Sequence, residues 1–527
     1  MEKKIYLLSD QVIHWNIMPG DGRKNVFMEF WGNQSIERMM GAITTYFDSS
    51  NKPFDWSLVN NGMDIQEGQE LNPAGKAYNH VFATWNQYGE SRNKVWRIGE
   101  IAHVGQVGEA ATRPPVFDQL DQVDVVLVQD WGMRIGGTAF PELADRIGDK
   151  WMIYRPYPEV FSGKLWQTLR PRLDQKSILV LRTDDLRMLD VSISKGLSWE
   201  QTLQDLILEI YCKRNISLYP LREAEYVVIS FGHTGTLLIH NTSSQTQADP
   251  ELTFFFDSKG VEGYWEIGHP GYLPGSMELL LVLLAKEVIG PDADQEKIDL
   301  TFAIRAHLLG SRALHLAGAR VSEGSLQLEI LKEELDKVYG SHPSSDFFPV
   351  ELDFDLFDCL YQAKHDGGAI SSGDWSLLSK TKWDYYSLAR EISIHGPIKA
   401  LSGSNIPIAK YNHLVTVDRK EIEFLHHLQS LFTEYLQRQI SQPLSIAVFG
   451  SPGSGKSFSI KQLAKSLGLP DFSIQPITFN LSQFNVDHPV DLYQAFHAVR
   501  DISLSGKTPL VFWDEFDSNE LAWLRYF

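Results

Sequence analysis

Along roughly the first 320 residues, short apolar runs alternate with longer segments in which apolar positions recur every three or four residues. Ile5–Leu8, Val26–Trp31, Val95–Ile101, Val123–Val128, Trp151–Tyr154, Ile178–Leu181, Tyr226–Ile229 and Leu252–Phe256 read as strands. Ile36–Phe47, Pro141–Ile147, Trp199–Tyr211, Met277–Ile289 and Leu300–Leu316 carry helical spacing. Such alternation predicts a mostly parallel, layered α/β domain over residues 1–320, with its ligand crevice at the carboxyl ends of the strands.

The pattern then changes. Leu326–Tyr339 predicts a charged amphipathic helix, and the SHPSS run at 341–345 a linker. Leu352–Ala363 and Tyr385–Ile392 predict short helices on either side of Gly367–Gly373. Glu421–Ile440 predicts a long helix with Ile422, Leu425, Leu428, Phe432 and Tyr435 along one side. Residues 321–440 therefore read as a mainly helical connector. His426 and His427 point about 100° apart on that helix, which suits packing or solvation rather than a shared metal. In the last segment, 441–527, a strand at Ile446–Phe449, a helix at Phe458–Leu467, a strand at Ile474–Asn480, a helix at Val490–Leu504 and a strand at Pro509–Trp513 predict part of a second α/β domain.

The chemistry is concentrated in that last segment. Ser445–Ser457, SIAVFGSPGSGKS, satisfies G-x-x-x-x-G-K-[ST] through Gly450, Gly455, Lys456 and Ser457. Glycines let a backbone curl its N–H groups around a polyphosphate, and a following helix adds its positive dipole end. The expected cradle is Gly450, Ser451, Pro452, Gly453, Ser454, Gly455, Lys456, Ser457 and Phe458. Lys456 is expected to reach the β- and γ-phosphates, and Ser457 to ligate Mg²⁺. Downstream, Pro509–Glu515 is an apolar run ending in two carboxylates. Asp514 in that place can hold Mg²⁺ and Glu515 can polarise an attacking water; the bland alternative is a solvated acidic turn that continues into Asp517 and Glu520.

These two motifs resemble the Walker A and Walker B motifs of the AAA+ class of P-loop ATPases, over Ser441–Phe527. The resemblance implies ATP and Mg²⁺ as ligands, Lys456 as the phosphate lysine, Ser457 and Asp514 as the magnesium pair, and Glu515 as the catalytic base. It also implies the sheet order 5-1-4-3-2, in which the strand between the P-loop strand and the Asp-Glu strand lies beyond residue 527. The expectation is a C-terminally truncated piece that binds ATP weakly and hydrolyses it poorly. Complete modules of this class act as rings, which implies a homo-oligomer with a client the sequence does not name. No N-K-x-D guanine motif occurs, which favours ATP over GTP.

A longer resemblance, over residues 1–320, is to the ribokinase-like (PfkB) carbohydrate kinases. VVLVQDWG at Val125–Gly132 is similar to a family strand ending in an Asp-aromatic pair, and SFGHTG at Ser230–Gly235 to its [ST]-x-G-x-x-G nucleotide loop. A glycine pair between Tyr226–Ile229 and Thr236–Ile239 is equally what a β-hairpin needs. RTDDLR at Arg182–Arg187 stands where the family often has Asn-x-x-Glu. Gly271–Ser276, GYLPGS, stands where the family has G-A-G-D, so Ser276 replaces the proton-accepting aspartate. Serine is no general base at neutral pH without a partner. The expectation is a kinase-like sensor or docking domain rather than an active kinase, with Asp130 and Asp184 either lining a pocket or capping adjacent elements.

Composition narrows the classes. The 527 residues are 43% hydrophobic and 22% charged, enough for large cores. Lys and Arg number 48 against 67 Asp and Glu, a net charge of −19, which argues against general binding to nucleic acid or anionic membranes. The 14 Trp, 19 Tyr and 28 Phe lack interleaved basic residues and read as core rather than base-stacking groups. Cys212 and Cys359 are the two thiols, which suits a reducing, cytoplasmic setting without a disulfide framework. The apolar run near the N-terminus is too short for a signal peptide, and Leu279–Ala285 is too short to span a bilayer. The combined expectation is an ATP-dependent regulatory or remodelling protein. The alternatives are a ribokinase-type small-molecule kinase and a non-hydrolysing, nucleotide-gated scaffold.

Overall fold

The computed structural model describes residues 3–10, 12–19, 24–31, 33–49, 56–59, 78–89, 94–107, 117, 119–130, 140–157, 161, 163–189, 191–212, 218–241, 249–290, 298–322, 325–328, 347–355, 357, 375–380, 383–401, 404, 406–438, 442–451, 453–467 and 473–527. The chain forms two compact units, Met1–Pro407 and Ile408–Phe527.

The strands of unit 1 are β1 (Lys3–Ser9), β2 (Val12–Pro19), β3 (Lys24–Trp31), β4 (Trp56–Val59), β5 (Tyr78–Tyr88), β6 (Val95–Val107), β7 (Val125–Asp130), β8 (Trp151–Pro156), β9 (Ser177–Arg182), β10 (Tyr226–Ser230), β11 (Gly235–His240), β12 (Glu251–Phe256), β13 (Ala319–Ser322), β14 (Ser325–Leu328) and β15 (Phe348–Leu352). Its main helices are α1 (Asn33–Ser49), α2 (Pro141–Ile147), α3 (Lys164–Leu169), α4 (Thr183–Arg187), α5 (Trp199–Ile207), α6 (Pro220–Glu223), α7 (Tyr264–Gly268), α8 (Ser276–Val288) and α9 (Thr301–Ala317).

A nine-stranded sheet runs β15-β12-β11-β10-β9-β8-β7-β1-β4. From β4 to β10 the neighbours are parallel; β11, β12 and β15 continue antiparallel. β7, β8 and β10 are buried at every residue, as parallel strands covered on both faces must be. Alternate side chains feed two cores. Ile5, Leu7, Val125 and Leu127 pack with α1, α8 and α9, while Tyr6, Leu8, Val126 and Val128 pack with α2, α3 and α5. Leu279, Leu280, Leu281, Leu283 and Leu284 of α8 are buried, each contributing roughly 2 kcal/mol by removal from water.

A second, six-stranded sheet runs β14-β13-β6-β5-β2-β3. Every strand expected over 1–320 is present within a few residues, and a mixed α/β architecture results. β2, β4 and β5 were not legible: β2, VIHWNIMP, interrupts its apolar positions with His14 and Asn16, so neither period stands out. The region expected as a helical connector differs too. Leu326–Leu328 lie in β14, which closes a hairpin with β13, and β15 extends the large sheet beyond β12. At 325–328 a tight hairpin with the neighbouring β13 overrides the local helical spacing, and at 348–352 pairing with the distant β12 sets a strand. The rest of the helix expected at 326–339, the linker at 341–345 and Gly367–Gly373 lie outside the described residues.

Unit 2 has a short hairpin, β16 (Ala409–Tyr411) with β17 (Leu414–Thr416), followed by a helix at Arg419–Gln437. Asp418 caps that helix by accepting the Glu421 N–H, and Ile422, Leu425, Leu428 and Phe432 are its buried side, as the spacing predicts. Next come a helix at Lys456–Ser466, β18 (Ile474–Asn480), a helix at Val490–Leu504 and β19 (Thr508–Asp514), with β18 and β19 parallel. One expectation fails: Ile446–Phe449 joins no ladder, and Phe449 is 91% exposed. No described strand lies beside that stretch to share hydrogen bonds with it. Among the described residues no helix is long and apolar enough to cross a membrane.

Candidate functional site

In unit 2 the site is built by one helix start and one strand end. Gly453 and Gly455 have φ of 77° and 82°, the left-handed region that glycine enters without a Cβ penalty. Gly455 is the N-cap of the Lys456–Ser466 helix, and no side chain caps that end. The Ser454 N–H donates to the Ser451 carbonyl at 3.2 Å, closing the loop upon itself. Lys456 Nζ donates to the carbonyls of Gly450 at 2.6 Å and Ser451 at 2.8 Å, so the ammonium is folded over the loop it would serve. Ser451, Gly453, Ser454, Gly455 and Phe458 are exposed; Pro452 lies outside the described residues.

Two tethers fix this helix against the strands. Lys461 Nζ sits 4.8 Å from the Phe512 ring centroid and 3.4 Å from Thr478 Oγ1, touching β19 and β18 together. Gln462 accepts from Asn412 Nδ2 at 2.8 Å, joining the helix to the β16–β17 turn. The result is that Ser457 Oγ donates to Asp514 Oδ1 at 3.5 Å. A hydroxyl and a carboxylate oxygen so placed offer hard oxygen donors, of the kind Mg²⁺ takes while keeping most of its waters. The residues present thus fit such an ion, which Ser457 and Asp514 would hold.

Glu515, the next residue, is exposed and has φ of 55°. A non-glycine in that region carries strain of order 1 kcal/mol, and Glu515 follows directly on the end of β19 at Asp514. Behind the strand end, Trp513 stacks on Phe479 at 5.1 Å and meets Phe527 at 4.7 Å. Leu481, Leu492 and a fully buried Trp523 complete that small core.

Unit 1 has its own polar crevice, at the carboxyl ends of the parallel strands. Ser9 Oγ donates to Gln129 Oε1 at 3.3 Å, and Gln129 Nε2 donates to Glu278 Oε1 at 2.9 Å, with Arg155 Nη1 at 3.9 Å from the same oxygen. Burial holds the Arg155 guanidinium below its ordinary pKa, with Glu278 acting in the opposite direction. Asp130 is buried and accepts from the Tyr154 hydroxyl at 3.1 Å; burial first, then the Asp130 charge, hold that phenol well above its usual range. Asp184 is exposed and paired with Lys195 at 2.8 Å and Arg187 at 2.9 Å. Neither aspartate serves as an N-cap.

The expected Asn-x-x-Glu position is closed in this chain. Arg182 Nη2 lies 2.6 Å from Asp185 Oδ1, so an internal cation neutralises the carboxylate. SFGHTG forms the antiparallel turn joining β10 to β11. Ser276 is the first residue of α8, behind Gly275 as N-cap. Glu278, Arg155 and Gln129 escaped sequence reasoning. The signal available was Glu278 itself, one acid at the start of the otherwise apolar run Leu279–Ala285.

No protein-family model matches the sequence, and no curated protein is detectably similar to it. Solved structures do resemble it. A Staphylococcus aureus protein assigned as a phosphofructokinase is 10% identical over 66% of this chain and 99% of its own, with a TM-score of 0.34. Phosphofructokinase-2 from Escherichia coli, in complex with potassium, is 10% identical over 64% of this chain and 98% of its own, at 0.32. Ribokinase from Giardia lamblia is 13% identical over 64% and 99%, at 0.32. These neighbours are sugar kinases of the ribokinase type, and none of those named is an AAA+ ATPase. Likeness at this level says nothing about what this chain binds.

Proposed function

We propose that the protein is an ATP-binding protein whose unit 2 is a P-loop nucleotide module of the AAA+ class, coupling ATP binding and hydrolysis to conformational change. The observation that carries the proposal is the 3.5 Å approach of Ser457 Oγ to Asp514 Oδ1, at the helix start where Lys456 is folded over its loop. In this proposal Lys456 leaves the Gly450 and Ser451 carbonyls for the β- and γ-phosphates, while loop N–H groups hold the remaining oxygens. Ser457 and Asp514 position Mg²⁺, and Glu515 takes the proton from the attacking water. Unit 1 then serves as a sensor or docking unit. The test is phosphate release from ATP by the full chain and by Glu515→Gln. Release by the wild type that vanishes in Glu515→Gln, with ATP binding retained, supports hydrolysis at this site; equal release by both overturns the assignment of Glu515. Binding without release by either protein indicates a nucleotide-gated switch.

A second proposal rests on unit 1. Asp10 and Asp130 are buried carboxylates at the carboxyl ends of adjacent strands, Asp130 bonded to Tyr154 on the face that packs with α2, α3 and α5. A ribokinase-type kinase acting there would phosphorylate a sugar or nucleoside hydroxyl, with turnover lost in Asp130→Asn and unchanged in Lys456→Ala. Ser276 and the Arg182–Asp185 pair speak against it, since a serine stands at the position where the resemblance puts the proton-accepting aspartate and Arg182 neutralises Asp185.

A further inference from the structure

Unit 1 carries a cluster of imidazoles that the proposed nucleotide chemistry does not use. On α9, His315 Nε2–H donates to the His269 carbonyl at 2.9 Å, which leaves Nδ1 as the lone-pair nitrogen, buried and without a hydrogen-bond partner. His233, in the β10–β11 turn, lies 5.1 Å from the His315 ring. It grips Glu266 of α7 twice, through its backbone N–H at 2.9 Å and ring Nδ1 at 3.0 Å. Trp265 sits among them, 4.7 Å from His233, 5.0 Å from His315 and stacked at 4.2 Å on His269.

Charges face this cluster from the surrounding elements. From β6, Arg97 donates to the carbonyls of His315 and Pro270, both at 2.9 Å. From α9, Arg312 lies 5.3 Å over Trp265, donates to the His233 carbonyl at 2.8 Å and is ion-paired to Asp257, just after β12, at 2.7 Å. His307, fully buried on the same helix, has no hydrogen-bond partner at either ring nitrogen. The carboxylates in the cluster, Glu266 and Asp257, are already engaged by His233 and Arg312. A proton added at His315 Nδ1 would meet cations and aromatic edges.

The segment gripped here runs straight to the crevice. After His269 the chain turns at Gly271, with φ of 91°, where a Cβ would meet Tyr88 and Arg97 at under 3 Å. Tyr272 exchanges both backbone hydrogen bonds with Ile98 of β6, at 2.8 Å each, and Gly275 then caps α8. We propose that His307 and His315 form an acid-released clasp, in which proton uptake on these two imidazoles frees residues 264–275 from α9 and loosens the start of α8 while the large sheet stays folded. Burial pushes His307 and His315 down to about 3, so both are neutral in the closed form. A released imidazole titrates near 6.5. Between those values the open form binds protons that the closed form does not, so the opening equilibrium rises about tenfold per pH unit for each histidine set free.

The test is hydrogen exchange on the full chain from pH 7.5 to 4.5, corrected for intrinsic rates. Amides of 264–272 are expected to open tenfold or more per pH unit below 6.5, while Leu7 and Leu127 amides in β1 and β7 stay flat. His315→Gln, which keeps a donor for the His269 carbonyl but does not titrate, is expected to lower that slope by about tenfold per unit. A flat profile at 264–272, a parallel rise in β1 and β7, or a wild-type slope in His315→Gln each overturns the clasp.

Discussion

Ser457 and Asp514 are 57 residues apart in sequence, yet their side-chain oxygens lie 3.5 Å apart because Lys461 and the parallel β18–β19 pair hold the helix start against the strand end. The hydrogen bond is long, and both residues are half-buried. In the proposed function these two oxygen donors position the magnesium ion.

Asp514→Asn keeps the shape of that strand end and removes its charge. ATP affinity measured with Mg²⁺ is expected to fall by about tenfold or more, while affinity in EDTA is unchanged, since one charge-assisted interaction is worth roughly 1.5–3 kcal/mol. Calorimetric titration with and without Mg²⁺ checks this. An equal loss in both conditions would place Asp514 outside the metal's reach.

In unit 1, Glu262 is nearly buried and receives Arg187 at 2.7 and 2.8 Å and Thr183 at 3.1 Å, locking α4 to the segment that follows β12. Glu262→Ala strands a guanidinium that is 16% exposed, though Asp184 remains beside it. The expected cost is on the order of 3 kcal/mol, read as a lowered midpoint in denaturant. A change under about 0.5 kcal/mol, the range of ordinary surface substitutions, would show that the pair is dispensable.

His426 in unit 2 packs 5.6 Å from the Tyr411 ring, and burial lowers it to about 4. An unfolded histidine titrates near 6.5, so the unfolded state binds the extra proton as pH falls from 6.5 towards 4. The stability that His426 contributes is therefore full above pH 6.5 and declines below it. Wild type is expected to lose ground against His426→Gln between pH 7 and 5 in paired melting curves. A constant difference across that range would contradict the sign.

How much of this was legible in the sequence follows from range. The glycine-rich turn at Gly450–Ser457 is local, so its left-handed Gly453 and Gly455 ahead of a helix could be read directly, and Ile474–Asn480 and Val490–Leu504 have the bounds their spacing predicts. Buried parallel strands such as Val125–Val128 announce themselves as unbroken apolar runs. Contacts set by the tertiary fold do not. Arg155 and Glu278 meet only because α8 returns to the β7–β8 end of the sheet, and the His233–Trp265–His315 cluster joins a turn and two helices spread over 83 positions, counting 233 to 315 inclusive. β15 was missed for a related reason. It is five residues long with Pro349 inside it, tolerable at a sheet edge, and only its partner β12 identifies it as a strand.

The most direct measurement is calorimetric titration of the full chain with Mg-ATP, beside Lys456→Ala. Saturable binding at one site, weakened at least tenfold by the lysine change with circular dichroism unaltered, is the result the proposal predicts, because in it the ammonium that now rests on the Gly450 and Ser451 carbonyls moves to the phosphates. Equal affinity in the two proteins would mean that nucleotide, if bound at all, sits elsewhere, and the P-loop assignment would fall.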